Sequence, residues 1–197
     1  MNKPAVKSVF LNLPNLLTLG RLALIPVIVL VYYLPFEGSY LTAAAIFALA
    51  GFTDWLDGYL ARRWNQMTPF GAFLDPVADK VIVAVALAML VEAHHTVLLT
   101  APAIVIIGRE IVISALREWM AEMGKRASIA VNFIGKIKTT CQMFAIIGLL
   151  AFPPDTHGAL LGLVLLYVAA VLTLWSMIVY LKAAWPELTS TSNNQSS

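Results

Sequence analysis

The stretch GFTDWLDGYLARRWNQMTPFGAFLDPVADK, residues 51–80, decides how the chain is read. Long apolar runs flank it, yet it carries four aspartates, Asp54, Asp57, Asp75 and Asp79. An aspartate at the middle of a membrane helix costs about 2.5–3.5 kcal/mol on an insertion scale. Four of them would cost roughly 10 kcal/mol or more if deep, and less near the headgroups. Cations, water or both must offset that cost, so the stretch marks a site.

The rest of the composition identifies the solvent. Of 197 residues, 60% are hydrophobic and only 12% are charged, with a mean hydropathy of +0.82. Soluble domains carry about 25% charged residues, so the chain reads as an integral membrane protein. A net charge of +2 gives no reason to expect a nucleic-acid partner. The single cysteine, Cys141, cannot form an internal disulfide and reads as a small residue of an apolar helix. The first apolar run, residues 22–34, has no small-residue cleavage site after it, so it reads as part of a span and not as a removable signal.

A spanning helix needs about 20 mostly apolar residues. Six such segments are expected, at roughly 15–35, 40–63, 71–93, 97–122, 130–153 and 158–183, separated by turn residues such as Pro35, Gly38, Pro69, Gly124, Pro153 and Pro154. The runs are too long for barrel strands and lack period-two alternation, so the fold class is all-α. Under this assignment all 13 basic residues fall on one side, while the three opposite connections hold Glu37, Glu92 and Asp155. The positive-inside rule then puts both termini and the aspartates on the cytoplasmic side. Residues 1–14 form a cytoplasmic segment that can lie as a helix on the membrane surface, and 184–197 read as a disordered polar tail.

Residues three or four apart share a helix face, so Asp54 and Asp57 point together, as do Asp75 and Asp79. A short connection makes the two helices neighbours, and the four carboxylates can converge. Hard oxygen donors without histidine or cysteine suit Mg²⁺ or Mn²⁺. Two such ions about 3.5–4 Å apart could share the set and clamp a reacting phosphate. Gly58 and Gly71 clear space beside the acids, although Gly58 could equally serve helix packing and Gly71 could simply follow Pro69.

The pattern Asp54-x2-Asp57-Gly58-x2-Ala61-Arg62-x8-Gly71-x3-Asp75-x3-Asp79 resembles, at each of its positions, the signature of the CDP-alcohol phosphotransferase family. The resemblance implies a six-helix membrane enzyme, a homodimer, that uses two divalent ions, Mg²⁺ or Mn²⁺. Such an enzyme transfers a substituted phosphoryl group from a CDP-alcohol to a hydroxyl and releases CMP. The segments 12–26 and 108–143 are most similar to bacterial members that join CDP-diacylglycerol to glycerol 3-phosphate, which implies the bacterial cytoplasmic (inner) membrane as location.

By that resemblance Asp54, Asp57 and Asp75 are metal ligands, and Asp79 is both a ligand and the general base. Gly58, Ala61, Arg62 and Gly71 match the cytidine and phosphate end of the family site. Asn15 and Thr18, at the start of the first helix, could hydrogen-bond CDP-diacylglycerol, and Asn15 could instead cap that helix. The acceptor's phosphate needs cations, for which Arg21, Arg109, Arg117, Lys136 and Lys138 are the candidates. Arg109 and Arg117 are about two helical turns apart and share a face, with about 12 Å of rise between them. Headgroup snorkelling is the plainer use of such residues. Glu110 and Glu118 could hold these bases in place.

Three other readings compete. A relative of the same family would use inositol phosphate, serine or phosphatidylglycerol as acceptor. A Mg²⁺-dependent membrane prenyltransferase would show two separated acidic motifs in a longer chain. A cation transporter would want its carboxylates deep, on broken helices.

Overall fold

Turn residues set the helix ends. The computed structural model describes residues 13–64, 68–122 and 132–189, without the side chains of residues 14, 60–62, 132–134, 136 and 186–189. Six helices follow one another: α1 Leu13–Tyr33, α2 Ser39–Arg63, α3 Pro69–His94, α4 Val97–Glu122, α5 Asn132–Ala151 and α6 His157–Thr189. No strand occurs among the described residues. The all-α expectation is met, with most helix ends within two residues of those read from the sequence. The surface-helix reading of residues 1–14 falls almost wholly outside the described residues.

Local chemistry explains individual ends. Gly38 sits at φ 91° between α1 and α2, a left-handed conformation that favours glycine. Thr68 caps α3, its hydroxyl accepting from the Gly71 N–H at 3.0 Å, and Pro69 fills the first helical position, where no N–H is needed. His95 closes α3 in a left-handed turn at φ 46°.

One boundary is corrected. The last helix continues past residue 183 to Thr189 where a disordered tail was expected, and residues 190–197 lie outside the described residues. Tertiary packing explains the extension: Ala184 is fully buried with Ile113, Met120 and Tyr180, which ties this end of α6 to α4.

Among the described residues, α1, α2, α4 and α6 are long and apolar enough to cross a membrane. The charges at the start of α3 and the shorter apolar part of α5, residues 137–151, keep those two helices below that measure. Large apolar side chains such as Leu30, Leu41, Ile104 and Val97 lie on the outside, as lipid contact permits.

In lipid, close packing between small residues replaces the hydrophobic drive. Ala43, Ala44, Phe47 and Ala50 of α2 are buried, as are Ala145, Ile146 and Leu149 of α5. Gly162 of α6 lies so close to α5 that an added Cβ would stand 2.9 Å from the Leu149 backbone nitrogen. Helix α1 packs against both α2 and α3, α2 against α5, and α4 and α5 against α6. The α2–α3 pair is not among the closely packed ones, which corrects the expectation drawn from their short connection. Helix α1 bridges them instead, and that decides the site.

Candidate active site

Periodicity orients α2. Phe52, Trp55, Tyr59 and Arg63 form one stripe, with Trp55 stacked on Tyr59 at 5.9 Å and Arg63 donating to the Tyr59 hydroxyl at 2.7 Å. Trp55 is 61% exposed, so this stripe faces outward. At 100° per residue, Asp54 and Asp57 lie on the other side of the helix.

That other side meets α1. Arg21, with 1% of its side chain exposed, reaches Asp54 Oδ1 at 2.7 Å and Asp57 Oδ2 at 2.5 Å, and its Nη1 also donates to Asp79 of α3. Thr18, one turn earlier, donates to Asp75 Oδ1 at 2.6 Å and lies 3.4 Å from Asp57 Oδ2. The four aspartates therefore come together at one end of the bundle, around two α1 side chains. Asp57 is 3% exposed, whereas Asp54 and Asp79 are 43% and 48% exposed, so the cluster has a buried floor and an open mouth.

The donor set is entirely hard oxygen, and four carboxylates outweigh one guanidinium in charge. This fits Mg²⁺ or Mn²⁺ better than softer metals. As the side chains stand, no three acidic, histidine or cysteine groups among the described residues are arranged around a single ion. Arg21 accounts for that, because its guanidinium lies on the carboxylate oxygens that an ion would use.

Asn15 belongs to the same end but does not cap α1, which begins at Leu13. Its amide donates to Thr68 Oγ1 at 3.0 Å, joining α1 to the cap of α3. Gly71 faces this pair: a Cβ there would lie 2.5 Å from Asn15 Oδ1 and 3.2 Å from Thr68 Oγ1. The space that glycine leaves beside Asp75 is thus filled by Asn15. Gly58 follows Asp57 on α2, while the side chains of Ala61 and Arg62 lie outside the described residues.

A second polar cluster joins α4, α5 and α6. Glu110 Oε1 accepts from Arg109 Nη1 at 3.2 Å and from Lys138 Nζ, and Arg109 Nη2 donates to Ser176 Oγ at 3.1 Å. Lys80, next to Asp79 in sequence, is within electrostatic reach of Glu110. Arg117 stands apart from the pair, its guanidinium 5.3 Å from the centre of the Tyr180 ring, though within electrostatic reach of Lys138.

Of the expected phosphate-binding cations, Arg109 and Lys138 thus meet, Arg21 joins the aspartates, and the Lys136 side chain lies outside the described residues. Two members of these clusters escaped the sequence reading. Thr68 was legible as a threonine before proline at a helix start, whereas Ser176 sits in an apolar run with nothing to single it out.

Residues 11–175 match the family model described as CDP-alcohol phosphatidyltransferase. Curated relatives include the CDP-diacylglycerol–glycerol-3-phosphate 3-phosphatidyltransferase of Yersinia enterocolitica, 58% identical over 90% of this chain and 97% of its own. Proteins of the same name from Salmonella choleraesuis and Shigella flexneri are 58% and 59% identical, again over 90% of this chain and 97% of theirs. No solved structure matches the chain.

Proposed function

The chain belongs to the CDP-alcohol phosphatidyltransferase family, and from that premise we propose that it transfers the phosphatidyl group of CDP-diacylglycerol to the 1-hydroxyl of glycerol 3-phosphate. The products are phosphatidylglycerophosphate and CMP. The observation that carries this reading is the meeting of Asp54, Asp57, Asp75 and Asp79 at one end of the bundle. It occurs in a chain 58% identical to relatives named for this reaction.

The four aspartates would hold two divalent ions, Mg²⁺ or Mn²⁺, which when bound supply positive charge to the donor's pyrophosphate and to the departing CMP. Asp79 is the general base, and its half-open position suits contact with a water-soluble acceptor. It takes the proton of the 1-hydroxyl as that oxygen bonds to the phosphorus bearing diacylglycerol. The bond from this phosphorus to the CMP oxygen breaks, and CMP leaves with the electron pair. Arg62, Gly58, Ala61 and Gly71 are assigned to the cytidine and phosphate end of the donor, and Thr18 and Asn15 to its support. Arg109 and Lys138, with Lys136 and Arg117, are assigned to the acceptor's phosphate, for which guanidinium is suited by its two-pronged donation.

The helices fit a membrane protein, and the distribution of basic residues supports a site open to the cytoplasm. The lipid chains then remain in the bilayer while the acceptor enters from water. A homodimer is proposed from the family alone.

CMP release from the purified protein, with CDP-diacylglycerol and Mg²⁺, tests the assignment when glycerol 3-phosphate, serine and inositol phosphate are compared. Release with glycerol 3-phosphate alone is expected. Release only with another acceptor would overturn the acceptor assignment, and silence with all three would overturn the transferase reading.

A further inference from the structure

Arg109 and Lys138 belong to different helices and carry like charges, which by themselves would drive the two heads apart. A single oxygen, Glu110 Oε1, accepts from both. On its far side the Arg109 guanidinium is held by Ser176, whose hydroxyl proton goes to the Thr173 carbonyl at 2.9 Å, leaving a lone pair for Arg109. Lys138 and Arg109 keep only 6% and 11% of their side chains exposed, while Glu110 keeps 27%, so the cluster is anchored below and reachable above. The three charges leave a positive surplus, to which Lys80 and Arg117 add from nearby. That surplus would attract a phosphate dianion.

We propose that Glu110 is a positioning residue for the acceptor, its carboxylate fixing the separation of Arg109 and Lys138 so that both donate to one phosphate, with Ser176 fixing the guanidinium plane. This rests on the assignment of Arg109 and Lys138 to the acceptor's phosphate. The rival role is an ordinary tie between α4 and α5, which would affect folding and both substrates alike.

Steady-state kinetics on the full-length protein separate the two. Glu110→Gln keeps the shape and removes the charge. It should raise KM for glycerol 3-phosphate about tenfold or more, as for weakening hydrogen bonds to charged groups, with kcat and KM for CDP-diacylglycerol unchanged. Ser176→Ala removes the hydroxyl that accepts from the charged Arg109 guanidinium and donates to the Thr173 carbonyl. It should raise the same KM about tenfold, as for losing a hydrogen bond to a charged group, so the test survives if Glu110→Gln does not fold. Arg109→Gln and Lys138→Gln serve as references. If both raise KM for glycerol 3-phosphate while Glu110→Gln and Ser176→Ala do not, the positioning role is overturned and the acceptor site stands. If neither reference variant raises it, the acceptor assignment itself is wrong. A fall in kcat with both KM values disturbed in Glu110→Gln would make the residue a structural tie and also overturn the proposal.

Discussion

Arg21 on α1 and Asp57 on α2 form an ion pair at 2.5 Å with 1% and 3% of their side chains exposed. The same guanidinium touches Asp54 and Asp79, so one cation joins three helices at the mouth of the bundle. Four acids around a small, partly open volume repel one another, and Arg21 is what allows them to share it. A divalent ion bound to the same oxygens would compete with Arg21, whose guanidinium would then be available to a phosphate oxygen.

Replacing Arg21 by methionine should therefore destabilise the protein. Breaking a buried pair by removing one partner typically costs about 3–5 kcal/mol, since the other charge is left buried and unpaired. The fraction of detergent-solubilised protein that stays monodisperse after heating, read by size-exclusion chromatography, checks this. Unchanged heat resistance would mean that the pair does not hold the helices together.

Asp79→Asn keeps the size of the side chain and removes its ability to accept a proton. The expected loss in kcat is about a hundred- to ten-thousandfold, the usual range for a general base. CMP release at saturating substrates measures it. Activity near that of the unaltered enzyme would move the base to another residue, with Asp54, also half-open, the next to substitute.

The helices were legible because proline, glycine and threonine punctuate apolar runs of spanning length, and that signal is local. Faces within one helix were legible too: the spacing of Asp54 and Asp57, and of Asp75 and Asp79, put each pair on one side as expected. Packing between helices was not. A short loop between α2 and α3 suggested that they pack directly, but the preference of eight acidic oxygens for an intervening cation favours α1 as the bridge. Arg21 accordingly lies with the aspartates, and nothing in its apolar surroundings in the sequence signals that. Ser176 was hidden for the same reason, since a hydroxyl in an apolar run acquires meaning only when Arg109 is seen beside it.

Chelation of divalent ions should stop CMP release and weaken donor binding together. Without added cations the carboxylates would face a pyrophosphate of like charge, and two such charges 4 Å apart repel by about 4 kcal/mol at an effective dielectric of 20. Titrating EDTA into the assay, then restoring Mg²⁺ or Mn²⁺, tests this by CMP release and by retention of CDP-diacylglycerol on the protein. Full activity in excess EDTA would remove the metal-ion reading.

Gly71 offers a test of what its missing side chain is for. If the space served only ligand approach, Gly71→Ala would impair donor binding and leave stability alone. The contact distances argue otherwise, because the new Cβ would stand 2.5 Å from Asn15 Oδ1 and press on the Thr68 cap. Overpacking of this kind costs about 1–3 kcal/mol. Asn15→Ala, which removes the obstacle along with its bond to Thr68, should cost about 1 kcal/mol by itself. The double variant should then be less damaged than the two losses added, with a coupling of about 1 kcal/mol, since each change acts through the other's atoms. Thermal stability of the four proteins in one detergent closes the cycle. Strict additivity would show that Asn15 and Gly71 do not press on each other, and would leave its place at the donor's end as the reason for a glycine at position 71.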